Sequence, residues 1–180
     1  MALLLKPGDV VGIMNIAIAL RESWSAAVDA YQAGFINSER TLQSLMYAKL
    51  RERLSNHVIL CEPQITVERH GCFVPDIVVL REDVVVAIAE LKFVPHGYPV
   101  YEFDLRKLAV LAEYRQPFQL LLDPYSGKFT SQDFQISADC ILVFAAIGRH
   151  DAAAVDPVGL RDAMGQFDER FAPLIFGVGG

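Results

Sequence analysis

The chain has 180 residues, enough for one domain with a sizeable core, and its 16 Lys+Arg against 22 Asp+Glu give a net charge of −6. That balance argues against a protein that coats nucleic acid nonspecifically, because affinity for phosphates has to come from local patches. Hydrophobic content of 53% and a mean hydropathy of +0.30 suit a deeply buried sheet or an apolar subunit interface, yet no apolar run approaches the ~20 residues that span a bilayer.

Met1 to Val10 reads as an irregular lead with a Pro7-Gly8 turn signal, and it lacks the basic start and long apolar region of a signal peptide. Cys61, Cys72 and Cys140 show neither a close pair nor zinc spacing, so buried free thiols in a reducing, cytoplasmic setting are expected. A helix is expected over 15–33, where Ala17, Leu20, Trp24, Ala27, Val28 and Tyr31 recur at helical spacing and Gly34 offers a stop.

A second helix is expected from Glu39 to about Leu54, capped by Asn37 or Ser38, with Leu42, Leu45, Met46, Leu50 and Leu54 as its apolar stripe. Glu39 borders that stripe, and Gln43 lies one turn on. A first-turn acid is equally at home against the helix dipole. Residues 57–69 read as the first strand, bent or interrupted at Glu62-Pro63, with His70-Gly71 as the turn into a central hairpin.

The hairpin lies in the stretch FVPDIVVLREDVVVAIAELK, from Phe73 to Lys92. Two β-branched runs, 74–80 and 84–93, flank the polar Arg81-Glu82-Asp83. Glu90 and Lys92 share a strand face, together with Val86 and Ile88, because side chains alternate along a strand. Asp76 joins that face if the loop has three residues; a two-residue turn needs a bulge to restore the phase, and Pro75 is a place for one. Charges on a half-buried face call for pairing or a bound cation. One reading is that Lys92 pairs with Glu90 or Asp76 at a solvated strand end. The other is a site for Mg²⁺ or Mn²⁺, whose preference is for hard carboxylate oxygens, with a lysine beside the bound water.

Pro75-Asp76, thirteen residues, then Glu90-Leu91-Lys92 resembles the signature of the PD-(D/E)XK nuclease superfamily. The resemblance implies an α/β protein with a mixed sheet of α+β type. Its restriction-endonuclease-like core, helix, three strands, helix, strand, would occupy about 37–147 of a single domain over 1–180, with an extra N-terminal helix and a C-terminal helix. It also implies metal-dependent hydrolysis of a nucleic acid, DNA above all. Asp76 and Glu90 would be metal ligands alongside the Leu91 carbonyl, Lys92 would assist the attacking water, and Glu39 would be the first core helix's contribution. Gln43 and Lys107 are weaker candidates for substrate contact. A homodimer would fit a small member without a recognition domain. The alternative from another class is a catalytically silent module of that fold, used for nucleic-acid binding or self-assembly.

Beyond Lys92, 94–99 reads as a loop beside the site. A helix is expected over 102–115 with Leu105, Leu108, Leu111 and Ala112 inward, and Asp104 with Lys107 as a surface pair. Lys49, Arg51 and Arg53, and Arg106 with Lys107, are the basic groups available for DNA or simply solvated helix faces. Two apolar runs, 118–122 and 140–147, compete as the fourth core strand. Asp156-Pro157 opens a last helix with Leu160, Met164, Phe167 and Phe171 on its apolar face. A glycine-rich apolar tail ends the chain, suited to packing against a partner subunit.

Overall fold

A computed structural model describes residues 7–94, 101–123, 128–129, 133–148 and 170–177. Helix α1 spans Pro7–Gln32 and takes in part of the expected irregular lead. The fixed φ and missing N–H of Pro7 suit a first helical turn better than the turn signal suggested. Gly34, at φ 80°, closes the helix: its N–H reaches the Tyr31 carbonyl, and that of Phe35 reaches Ala30.

Helix α2 covers Glu39–Arg53, and the Ser38 hydroxyl caps it by accepting from the Thr41 N–H at 3.2 Å. Leu42, Met46, Leu50 and Leu54 are buried as the spacing requires.

The single strand expected over 57–69 is two. Strand β1, Val58–Cys61, and strand β2, Gln64–Val67, join different sheets, because the chain breaks at Glu62, whose φ is 52°, and Pro63. Strand β3, Gly71–Phe73, turns back on β2. The central hairpin is β4, Ile77–Arg81, and β5, Val84–Val94. Then come α3, Glu102–Glu113, and the strands β6, Leu120–Asp123, β7, Lys128–Phe129, β8, Gln135–Gly148, and β9, Phe171–Gly177.

Two sheets result. The larger has the order β1-β4-β5-β8-β9, antiparallel through β5 and parallel from β5 to β9. The smaller has the order β3-β2-β6-β7. With three helices among the described residues, the class is α/β. The run at 140–147 supplies the strand beside β5, while most of 118–122 falls in β6 of the smaller sheet.

Most of the glycine-rich tail is regular structure in the described residues. It forms β9 on the outer edge of β8, where Pro173 is tolerated because an edge has one side with no N–H to donate. Phe171 opens that strand and does not line a helix; the remainder of the expected last helix lies outside the described residues, as does the expected loop over 94–99 beyond Val94, which ends β5. Of the thiols only Cys140 is buried; Cys61 and Cys72, expected inside, are exposed because each sits near the end of a short, peripheral strand.

Strand β5 carries the packing. Val85 through Leu91 are all buried, since the sheet is covered on both faces. Leu91, Ala89 and Ala87 pack with α1 and α2; Ile88 packs with α3 and with Ile65 and Leu120 of the smaller sheet. Each fully buried aliphatic side chain of this kind contributes about 1.5–3 kcal/mol. Glu90 lies near the end of this run at 1% exposure.

Candidate functional site

The phase of the hairpin decides whether the acidic residues meet. Arg81 pairs with Val84, so the loop is the two-residue Glu82-Asp83, with Glu82 at φ 58°, and not the three-residue loop considered from sequence. A bulge repairs the phase. Leu80 pairs with Val85 and Val79 with Ala87, leaving Val86 as the extra residue. The required bulge therefore lies at Val86, not at Pro75. Val86 consequently packs on the α1/α2 side with Ala87 and Ala89, contrary to its expected place beside Glu90. Carrying the pairing one step beyond Ile77 and Ala89 sets Asp76 against Glu90.

Strand β5 outruns β4 at this end, and pairing stops at Ile77. The edge N–H groups of Leu91 and Phe93 then need other acceptors. Asp76 Oδ2 accepts from Leu91 N at 2.6 Å, and Glu39 Oε2 accepts from Phe93 N at 3.3 Å. Because a strand residue's N–H and C=O point to the same edge, the Leu91 carbonyl lies on the side of these two carboxylates. Gln43 Nε2 donates to the Asp76 carbonyl at 2.9 Å and Glu62 N to the same oxygen at 3.2 Å, which fixes the Asp76 backbone.

Glu90 and Lys92 face α3, as the alternation requires. Lys92 Nζ lies 3.2 Å from Asp104 Oδ2, not on Glu90 or Asp76. Glu90 Oε2 is taken by Lys107, whose Nζ stands 2.7 Å away and also donates to the Val74 carbonyl at 3.2 Å. Glu90 Oε1 is buried with no hydrogen-bond partner among the described residues. The expected surface pair of Asp104 and Lys107 is in fact buried, at 5% and 8% exposure. Both belong to the face of α3 that carries Leu108 and Leu111. Asp104 was missed as a site residue, although its spacing of four from Leu108 and seven from Leu111 is the signal that places it inward.

The electrostatics follow from this crowding. Burial pushes the Asp76 carboxyl up to about 6, against the Leu91 N–H, with the Glu39 charge adding and Lys107 and Lys92 opposing. Burial likewise raises Glu90 to about 8, with Lys107 pulling it back and Asp76 and Asp104 adding. Burial would lower Lys92, but Asp104, Glu39 and Asp76 outweigh it and hold the ammonium above its ordinary range.

The other basic groups stay local. Lys49 bonds Glu52, Arg53 pairs with Glu22 and Glu52, and Arg51 donates to the His57 carbonyl. They lie toward the end of α2 remote from Glu39, about 15–21 Å along the axis. Arg106 is exposed on α3.

Among the described residues no group of three or more His, Cys, Asp or Glu side chains is arranged to hold a metal ion. The donor set at the tip of β5 is nonetheless of the right kind for a hard cation: two carboxylates, an orphaned Glu90 oxygen and a strand-edge carbonyl. No family model, no curated protein and no solved structure matches this chain. Among the described residues no helix is long and apolar enough to cross a membrane.

Proposed function

We propose that this chain is a divalent-metal-dependent phosphodiesterase acting on DNA, a member of the PD-(D/E)XK superfamily with a restriction-endonuclease-like core. The observation that carries this reading is that Asp76 and Glu39 sit on the β5 edge that β4 leaves open, with Glu90 and Lys92 on the adjoining face of the same strand. The sequence of α2, the strands β1, β4 and β5, then α3 and β8 also supports it.

Asp76 and Glu90, with the Leu91 carbonyl and with Glu39 directly or through water, would hold Mg²⁺ or Mn²⁺. When bound, such an ion supplies Lewis acidity toward a phosphate oxygen and acidifies a water. The chain's own groups do the rest. Lys92, kept cationic by Asp104, Glu39 and Asp76, orients that water and stabilises charge building on the phosphate. Gln43 and Glu39 fix the backbone on either side of the site. In this arrangement Lys107 serves Glu90 before it serves any phosphate.

The test is cleavage of double-stranded, single-stranded and branched DNA with Mg²⁺, Mn²⁺ or chelator. Wild type should cut only with metal, Asp76→Asn should be inactive, and Lys92→Met should lose about 10²–10⁴ in rate. Cleavage that survives in Asp76→Asn overturns the assignment. The alternative, a silent module of the same fold, is favoured by the seat of Lys107 on Glu90 and by the net charge of −6. Its outcome is DNA binding or self-association with no cleavage of any form.

A further inference from the structure

Metal-dependent chemistry at the tip of β5 leaves one buried charge unexplained. Lys107 is 8% exposed, and its ammonium ties α3 to two places at once: Glu90 Oε2 at 2.7 Å and the Val74 carbonyl at 3.2 Å. Val74 leads through Pro75 into Asp76, so a single cation spans both acidic arms of the site. Glu90 Oε1, meanwhile, has no partner among the described residues. Whenever Glu90 is ionised its buried charge needs neutralising, and an ammonium and a divalent cation satisfy the same need. Two cations against one carboxylate repel strongly at low dielectric.

Resting on the metal-dependent reading, we propose that Lys107 is a resident cation that holds Glu90 in the metal-free protein, and that loading the site requires Lys107 to leave Glu90. A landing place exists. Asp104 Oδ1 lies 3.8 Å from Lys107 Nζ on the same helix, at i and i+3. The same carboxylate holds Lys92 through its other oxygen, Oδ2, at 3.2 Å. Release of Lys107 toward Asp104 therefore sets a second ammonium against the group that restrains Lys92. Glu90, Lys107, Asp104 and Lys92 form a relay in which a cation arriving at one end loosens the lysine at the other. Lys92 is thus restrained until the centre is loaded.

Two measurements on the full chain test this without DNA. The first is acetylation of wild type by an amine-reactive ester, read residue by residue by mass spectrometry. Lys107 should react slowly in chelator and several-fold faster at saturating Mg²⁺, while exposed lysines keep their rates. The second is Mn²⁺ titration by calorimetry. Lys107→Met should bind Mn²⁺ about tenfold tighter than wild type, within the usual range of coupling between two bound species, and Lys107→Arg should not. Wild type that binds metal with Lys107 still protected, or Lys107→Met that binds no tighter, overturns the relay and leaves the metal reading standing. Absence of Mn²⁺ binding in both proteins overturns the metal reading and the relay with it. Should Lys107→Met fail to fold, the labelling of wild type decides alone.

Discussion

Asp76 Oδ2 stands 2.6 Å from the backbone nitrogen of Leu91, so the carboxylate proposed as a metal ligand also closes the strand edge that β4 leaves open. These two roles separate by substitution. Asparagine keeps an acceptor for the Leu91 N–H and loses the charge; alanine loses both. Asp76→Asn should melt close to wild type without metal, whereas Asp76→Ala should lose about 1–3 kcal/mol for the unmet N–H. Neither should respond to Mn²⁺. Amide exchange at Leu91, fast in the alanine variant and slow in the asparagine variant, checks the edge role.

Glu39 and Phe93 form the second edge contact, at 3.3 Å and therefore weaker. Glu39→Ala should quicken amide exchange at Phe93 and leave Leu91 protected. Mn²⁺ affinity should fall less than in Asp76→Asn. An equal loss in both variants would make Glu39 as central as Asp76.

The acidic pair gives the metal-free protein a pH dependence of definite sign. In the folded state Asp76 is raised from 3.8 to about 6 and Glu90 from 4.5 to about 8, both chiefly by burial. The folded chain thus keeps protons that the unfolded chain has released, and stability falls as pH rises through that interval. Asp76 contributes from about pH 4 to 6 and Glu90 from about 4.5 to 8. Metal binding needs the ionised forms, so Mn²⁺ affinity should rise over the same range. Thermal unfolding between about pH 4 and 9 should show the decline in wild type and a flatter profile in Glu90→Gln. A wild-type profile that climbs through this window contradicts the burial argument.

Glu90 and Lys107 are worth more as a pair than either is alone. Above about pH 8, where Glu90 is ionised, removing one partner of such a buried ion pair costs about 3–5 kcal/mol, while replacing both with apolar groups is often neutral. Lys107→Met should therefore lower metal-free stability sharply, and Lys107→Met combined with Glu90→Met should recover most of it. A double-mutant cycle in denaturant measures the coupling; additive losses would mean that the two charges do not hold each other.

How much of the fold and the site was legible in the residues depends on which interaction set each element. The apolar inward set of α3 follows from local periodicity, and a polar cap for α2 from Asn37-Ser38, of which the structure selects Ser38. The meeting of Asp76 and Glu90 was conditional on a bulge, and no residue near Val86 advertises one in a run of three valines. Splitting 57–69 between two sheets is a tertiary outcome that Pro63 permits but does not dictate. Asp104 and Lys107 looked like a surface pair because a charge at i and i+3 usually is one. Their burial depends on what α3 covers, which is Glu90 itself.

Close approach of backbones gives one more test, away from the site. A Cβ on Gly148 would lie 2.5 Å from the Val94 carbonyl oxygen, where β8 runs beside the end of β5. Gly148→Ala should cost about 1–3 kcal/mol, because backbone cannot move aside as a flexible side chain can. Unchanged melting would show that the two strands separate easily there.

The extra residue at Val86 has a bearing on how this hairpin can change over generations. A single deletion there, or a single insertion in either strand between the turn and the acids, turns one carboxylate away from the other while leaving the hydrophobic run almost unaltered. Losing Val86 and gaining a residue in the Glu82-Asp83 turn would cancel. Under the proposed metal reading, descendants that keep the centre are confined to paired length changes on this stretch, and an unpaired one would part the two carboxylates while keeping the fold.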